Sequence, residues 1–169
     1  HRGVPWFATS LCAVDRQGAR AALVADQARG HRYRAVRGAG AFVDGRRIRP
    51  GGSVELSRSI IGVSGLPPRH LGWEQYRAMG ALALDLCAVA DGTLDGYVDC
   101  SPPAHGPWDY AGALLVCAEA GVPVVDAFGQ DLLVLGHGDR RTPVAAATPE
   151  LLEQLVAARR SFAWPEDPA

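Results

Sequence analysis

The sequence contains no lysine and no asparagine, and all seventeen of its basic residues are arginine. Because alanine and glycine are also abundant, we interpret this as coding bias in a GC-rich genome and not as phosphate chemistry. Acidic residues balance the arginines to a net charge of −1, which excludes a nucleic-acid-coating polycation. No apolar run reaches the ~18 residues of a membrane span, and the start has no signal-peptide core. We therefore expect neither a nucleic acid nor a membrane as partner.

Cysteine is scarce, and its four positions form no C-x-x-C pair: Cys12, Cys87, Cys100 and Cys117. In a domain of this size that pattern indicates reduced thiols and predicts a cytoplasmic location. The only methionine is Met79, and the sequence begins at His1, so we expect a piece of a longer protein. What is present, 169 residues of which 48% are hydrophobic, suffices for one ordinary folded domain.

The first part of the chain, residues 1–58, predicts an antiparallel meander. Apolar runs over 6–14 and 19–25 are separated by turn residues, a third strand begins near Arg32, and Asp44-Gly45 is a strong two-residue hairpin pattern. The arginines between residues 29 and 37 are better explained as a solvated strand face than as a nucleic-acid contact, because only Tyr33 could stack on a base.

The second part, residues 59–160, alternates strands with helices and predicts a mixed α/β half. Helices are expected over 81–90, 107–120 and 149–160, and strands over 59–64, 97–98, 122–125 and 132–135. The prolines after Ser161 predict a frayed tail over 161–169.

The helix that begins at Pro107 carries the residues with the clearest chemistry. From the residues alone, Asp109 is open to two interpretations: an N-terminal helix cap, or a rigid carboxylate available to a divalent metal. Gly112 inside this helix indicates close packing, because glycine weakens a helix by ~1 kcal/mol relative to alanine. Glu119 opposes the dipole at the other end, so a partner is expected for it.

Five segments, in colinear order, resemble motifs of the inositol monophosphatase family. Its W-D-x-A-A-G…E-A-G signature is similar to Trp108-Asp109, Ala111-Gly112-Ala113 and Glu119-Ala120-Gly121, and its G-x-G-A-F-x-N-G hairpin is similar to residues 37–45. The other three similar segments are residues 4–11, 80–86 and 92–97.

The resemblance implies a partial αβαβα sandwich and a Mg²⁺-dependent phosphomonoesterase whose substrate is a small phosphorylated polyol or sugar. It also implies that Asp109 is a metal ligand facing the substrate, and that Asp99 contacts substrate hydroxyls. The remaining substrate contacts that it implies are Gly80, Ala81 and Leu82. A homodimer is expected by the same resemblance.

The chain departs from the family in three places, one of which is the loss of the helix usually found between Pro68 and Tyr76. The D-P-I-D-G-T motif, which with an upstream glutamate supplies most metal ligands, would end a few residues before His1, so we expect residues 1–169 alone to be inactive. Ser101-Pro102-Pro103-Ala104-His105 lengthens the loop before Asp109 and places His105 near the rim of the site. Three alternatives stay open: histidinol-phosphate phosphatase, another sugar-phosphate phosphatase, or a non-catalytic remnant that serves as an interaction module.

Overall fold

The computed structural model describes residues 3–168, which form two five-stranded sheets and three α-helices. Residues 1, 2 and 169, at the ends of the predicted segments 1–58 and 161–169, lie outside the described residues. The elements lie in four layers: the first sheet, two helices, the second sheet, and the third helix. These four layers confirm the predicted partial αβαβα sandwich.

The first sheet is the predicted antiparallel meander. Its five strands follow one another in space as they do in sequence: β1 (Ala8–Asp15), β2 (Gly18–Asp26), β3 (Arg32–Val36), β4 (Gly40–Val43) and β5 (Arg46–Arg47). Asp44 and Gly45 have positive φ angles of 49° and 85°, as the two-residue turn between β4 and β5 requires. The predicted hairpin is confirmed.

The second sheet mixes parallel and antiparallel pairs. After one 3₁₀ turn, Leu56–Arg58, the chain forms β6 (Ile60–Ser64), β7 (Gln75–Arg77), β8 (Gly96–Asp99), β9 (Val124–Asp126) and β10 (Pro143–Ala146). Their spatial order is β7-β6-β8-β10-β9. β6 runs parallel to β7 and β8, and β10 runs antiparallel to β8 and β9.

The three predicted helices are confirmed as α1 (Leu82–Ala90), α2 (Pro107–Ala120) and α3 (Pro149–Arg160). All nine residues of α1 are buried, because α1 and α2 lie between the two sheets. Gly121 ends α2 in the left-handed conformation, with a φ of 89°. None of these helices has both the length and the apolar character needed to cross a membrane.

Two hydrophobic clusters hold the layers together. One joins the first sheet to α1 and α2, and the other joins the second sheet to α3. Gly112 lets α2 pack closely against β1: a Cβ atom there would lie 2.6 Å from Ser10 Oγ and 3.0 Å from the carbonyl oxygen of Leu11. The predicted close packing at Gly112 is confirmed.

The predicted strand over Leu132–Leu135 is wrong, and the strand Pro143–Ala146 was not predicted. Residues 132–135 form no sheet pairing; instead Leu133, Val134 and Leu135 line a groove against β1 and the start of α2. Pro143–Ala146 pairs on both sides although proline and alanine are poor strand formers. Apolar composition alone does not show whether a segment lines a groove or pairs as a strand in a sheet.

The predicted fraying of the tail is also wrong. Asp167 forms an ion pair of 2.6 Å with the fully buried Arg159, and the indole nitrogen of Trp164 donates a hydrogen bond of 2.9 Å to the carbonyl oxygen of Cys100. These contacts fix residues 164–167 against α3 and the end of β8, which a proline-rich composition does not reveal.

Candidate active site

A cavity of about 240 Å³ lies where α1 and α2 begin, beside the edge strand β1. It brings together Asp109 and the segment Gly80-Ala81-Leu82, which the family resemblance implied as parts of one site. His105 and Trp108 also line it. The convergence follows from the layered fold, since both helices of the middle layer start at the same end of the molecule.

Asp109 combines a capping contact with an accessible carboxylate. Its Oδ2 accepts a hydrogen bond of 3.0 Å from the backbone N–H of Gly106, so the capping interpretation is confirmed. The side chain is nevertheless 37% exposed, and Oδ1 accepts no hydrogen bond from any described residue. The capping contact uses only Oδ2 and leaves Oδ1 accessible, so capping and ligand binding are compatible.

Asp99, at the end of β8, is fully buried and does not line the cavity. Its Oδ1 accepts hydrogen bonds from the backbone N–H of Ser101 at 2.9 Å and from the Ser101 hydroxyl at 2.5 Å. Burial raises the pKa of Asp99 above its ordinary value, and the contacts with His105 and Ser101 partly counteract this. Within residues 3–168, Oδ2 has no hydrogen-bond partner.

His105 lies next to both carboxylates. Its Nε2 is 3.5 Å from Asp99 Oδ2, and its Nδ1 is 3.8 Å from Asp109 Oδ2. The backbone is held in place because the N–H of Arg141 donates a hydrogen bond of 3.0 Å to the carbonyl oxygen of His105. Sequence reasoning placed this residue only at the rim; its spacing of four residues from Asp109 was the one available indication of a closer role.

Arg159 supports the end of β8 from the side of α3. Its Nε donates a hydrogen bond of 2.9 Å to the carbonyl oxygen of Asp99, and its Nη2 donates one of 3.3 Å to that of Ser101. The sequence did not identify this contact, because an arginine in the last turn of an amphipathic helix is typical of a surface position.

Asp85, in α1, is a second buried carboxylate that the sequence analysis did not single out. Its Oδ1 accepts a hydrogen bond of 2.8 Å from the indole nitrogen of Trp6, and Oδ2 is buried with no partner among residues 3–168. Burial raises its pKa to about 7, although the Trp6 contact acts in the opposite direction. One charge in an otherwise apolar helix was the pattern that could have revealed it.

The described residues do not form a complete Mg²⁺ site. Mg²⁺ requires several oxygen ligands in near-octahedral geometry, and Asp109 fits one such position. Asp99 is buried with Oδ1 already bonded, and imidazole nitrogen is a poor ligand for this ion. Within residues 3–168, no three His, Cys, Asp or Glu side chains are grouped to hold a metal.

Two curated proteins show how far the sequence is shared. It is 34% identical over 168 residues to a putative Nus factor SuhB of Neisseria meningitidis serogroup B, covering 91% of this chain and 61% of that protein. It is 38% identical over 145 residues to an inositol-1-monophosphatase of Rhizobium meliloti, covering 75% of this chain and 52% of the relative. The chain thus spans between half and two thirds of these relatives.

The fold is shared with solved structures. The structure of SuhB from Mycobacterium tuberculosis superposes with a TM-score of 0.75 at 32% identity, covering 95% of this chain and 66% of that one. Residues 1–163, nearly the whole sequence, match the inositol monophosphatase family. With the layered fold and the converging helix starts, this match shows that the chain belongs to the inositol monophosphatase family.

Proposed function

We propose that this chain is the C-terminal part of a Mg²⁺-dependent phosphomonoesterase that acts on a small phosphorylated polyol or sugar. The observation that carries the proposal is the position of Asp109, an accessible carboxylate beside the Gly80–Leu82 segment in one cavity. A preceding segment would supply the other metal ligands. The chemistry that Mg²⁺ supplies is charge neutralisation at the ester and activation of water.

The start of α1 supports binding of an oxygen-rich substrate. Helix N-termini leave backbone N–H groups without helical partners. Leu82 and Ala83, the first two residues of α1, carry such N–H groups, and both residues line the cavity. Ala81 provides no side-chain cap to satisfy them. Such donors suit phosphate or hydroxyl oxygens, and the helix dipole favours a negative charge there.

Asp109→Asn tests the metal-ligand role in a protein that contains this chain and the preceding segment. Asparagine keeps an oxygen that can accept the hydrogen bond from the Gly106 N–H, so the melting temperature in metal-free buffer should stay near that of the wild type. The charge that holds the metal is lost, so kcat for phosphate release should fall by ~10²-fold or more. Phosphate release with and without a chelator, together with a thermal melt, measures both effects.

Glu153→Gln, at an exposed position of α3, is the matched control for loss of one acidic charge. It should leave both turnover and melting temperature unchanged. A variant at Asp109 that keeps full turnover but melts several degrees lower would show that this residue is only a helix cap.

Two further possibilities are separated by the same assay. A panel containing an inositol phosphate, histidinol phosphate and other sugar phosphates distinguishes the substrate classes. A relative named as a putative Nus factor favours a second candidate, an interaction module without catalysis. Absence of turnover on every ester in the presence of Mg²⁺ would favour that candidate, and the partner to be sought would then include nucleic acid.

A further inference from the structure

The cavity exposes His105 and not the carboxylate behind it. The His105 side chain is 20% exposed and lines the cavity, whereas the Asp99 side chain is fully buried. Between them, His105 Nε2 and Asp99 Oδ2 lie 3.5 Å apart, and neither atom has a hydrogen-bond partner within residues 3–168. A ligand in this cavity therefore meets the imidazole first.

We infer that His105 is the side chain that contacts the substrate's hydroxyl groups, and that Asp99 is a positioning residue acting through it. This inference rests on the proposed function and deepens it, because it assigns the hydroxyl contact of the same site. The resemblance implied that Asp99 contacts the substrate hydroxyl groups directly. In this inference His105 makes that contact instead.

The surroundings of Asp99 suit a positioning role. Ser101 occupies Oδ1 with two hydrogen bonds, so only Oδ2 remains to orient a neighbour. The backbone on either side is held by Arg159, which donates to the carbonyl oxygens of Asp99 and Ser101. Asp167 keeps that arginine in place through a bidentate ion pair. The carboxylate is thus fixed in one orientation, with its free oxygen directed at the imidazole.

The imidazole can then act as a defined hydrogen-bonding group. Asp99 Oδ2 beside Nε2 fixes the orientation of the ring, so Nδ1 is the ring nitrogen left to exchange a hydrogen bond with a ligand. Nδ1 is the ring atom that lies near Asp109, 3.8 Å from its Oδ2. A hydroxyl group of a bound polyol phosphate can form a hydrogen bond with Nδ1 while its phosphate lies beside the Mg²⁺ ion that Asp109 would help to hold.

The test compares esters with and without hydroxyl groups in a protein that contains this chain and the preceding segment. For His105→Ala, KM for inositol 1-phosphate should rise by about 10-fold, the scale of one lost hydrogen bond in a partly buried site. For phenyl phosphate, which has no free hydroxyl group, kcat/KM should stay within about 2-fold. His70→Ala, at an exposed histidine outside the cavity, is the control and should change neither value.

Asp99→Asn separates the two possible contacts. If Asp99 acts through His105, the asparagine variant should raise KM for inositol 1-phosphate by ~3-fold or more. The double variant with His105→Ala should then be no worse than His105→Ala alone. Multiplying effects of the two substitutions, or a full effect of Asp99→Asn with none from His105→Ala, would overturn the inference. Equal losses on both esters would also overturn it, because they would indicate a structural or metal-binding effect.

Calorimetric binding of inositol 1-phosphate in the presence of Mg²⁺ separates this inference from the proposed function. Wild-type protein that binds the ester without hydrolysing it, and binds it more tightly than His105→Ala does, would contradict the phosphatase and support the His105 contact. Hydrolysis of inositol 1-phosphate with no change on His105→Ala would support the phosphatase and overturn the contact. Absence of both hydrolysis and binding would overturn both.

Discussion

Asp85 places a carboxylate inside a helix whose nine residues are all buried. Its Oδ1 accepts a hydrogen bond from Trp6, which ties the segment before β1 to the middle layer. Burial without a cation disfavours the ionised form, which is why the pKa rises to about 7. Asp109, at the exposed start of α2, has the opposite environment although both residues belong to the same layer.

The raised pKa of Asp85 predicts a loss of stability with rising pH. The unfolded chain releases this proton near pH 4, whereas the folded protein retains it until about pH 7. The stabilisation is therefore fully present below about pH 4 and is lost as the pH rises to about 7, by roughly 4 kcal/mol. Asp85→Asn keeps an acceptor for Trp6 and carries no charge, so its unfolding free energy should lack this fall.

Urea unfolding of the wild type and the variant between pH 4 and 8 measures the difference. Asp131→Asn, which removes one exposed acidic charge, is the control and should follow the wild-type curve. Parallel curves for wild type and Asp85→Asn would show that Asp85 titrates normally.

At the scale of elements, α2 is held at both ends by different means. Asp109 caps its start, and Glu119 near its end accepts hydrogen bonds of 2.7 Å from the backbone N–H groups of Gly38 and Gly40. These bonds supply the partner that the sequence predicted for Glu119 without naming it. They connect the end of α2 to the turn between β3 and β4. The helix therefore holds the β3–β4 hairpin in place.

Replacing Glu119 by glutamine should weaken this connection. Glutamine offers one acceptor oxygen where the carboxylate offers two, and its amide group would face an N–H donor. We expect the free energy of unfolding to fall by about 1–2 kcal/mol, because one charge-assisted hydrogen bond is lost and the other becomes a weaker neutral one. Glu153→Gln on α3 makes the same chemical change at an exposed position and should cost less than about 0.5 kcal/mol. Equal stability of the two variants would contradict the role of Glu119.

At the scale of the whole molecule, the tail packs against α3 and against the end of β8 in the second sheet. Arg159 is fully buried, and its charge is matched by Asp167, whose side chain is 4% exposed. Asp167 also accepts a hydrogen bond of 2.8 Å from the backbone N–H of Trp164. The ion pair therefore joins the tail, the last helix and the end of β8 behind the cavity.

Asp167→Asn should strongly destabilise the protein, since it leaves the Arg159 charge buried without its counterion. Breaking one partner of a buried pair costs about 3–5 kcal/mol, so we expect a loss of about 3 kcal/mol in denaturant unfolding. Glu166→Gln, one residue earlier and exposed, serves as the matched control with an expected change below about 0.5 kcal/mol. An equally small effect at Asp167 would restore the frayed-tail prediction.

Local patterns in the sequence determined most of the elements. The hairpin at Asp44-Gly45, the start of α2 at Pro107 and its end at Gly121 follow from backbone preferences of single residues, so they were predictable. Colinear motifs were enough to identify the family. They also named Asp109 and the Gly80–Leu82 segment as candidate site residues. The division of the chain at residues 58 and 160 stays a prediction.

Only the tertiary structure decided the path of one apolar segment and the surroundings of the buried polar groups. The path of Leu132–Leu135 depends on a groove made by β1 and α2, which are distant in sequence. His105 lines the cavity while Asp99 is buried behind it, and this arrangement depends on how β8, α3 and the tail pack together. Burial and the directions of hydrogen bonds arise between segments far apart in the chain, so composition and spacing cannot contain them. The sequence determined which residue types are available, and packing decided which of them line the cavity.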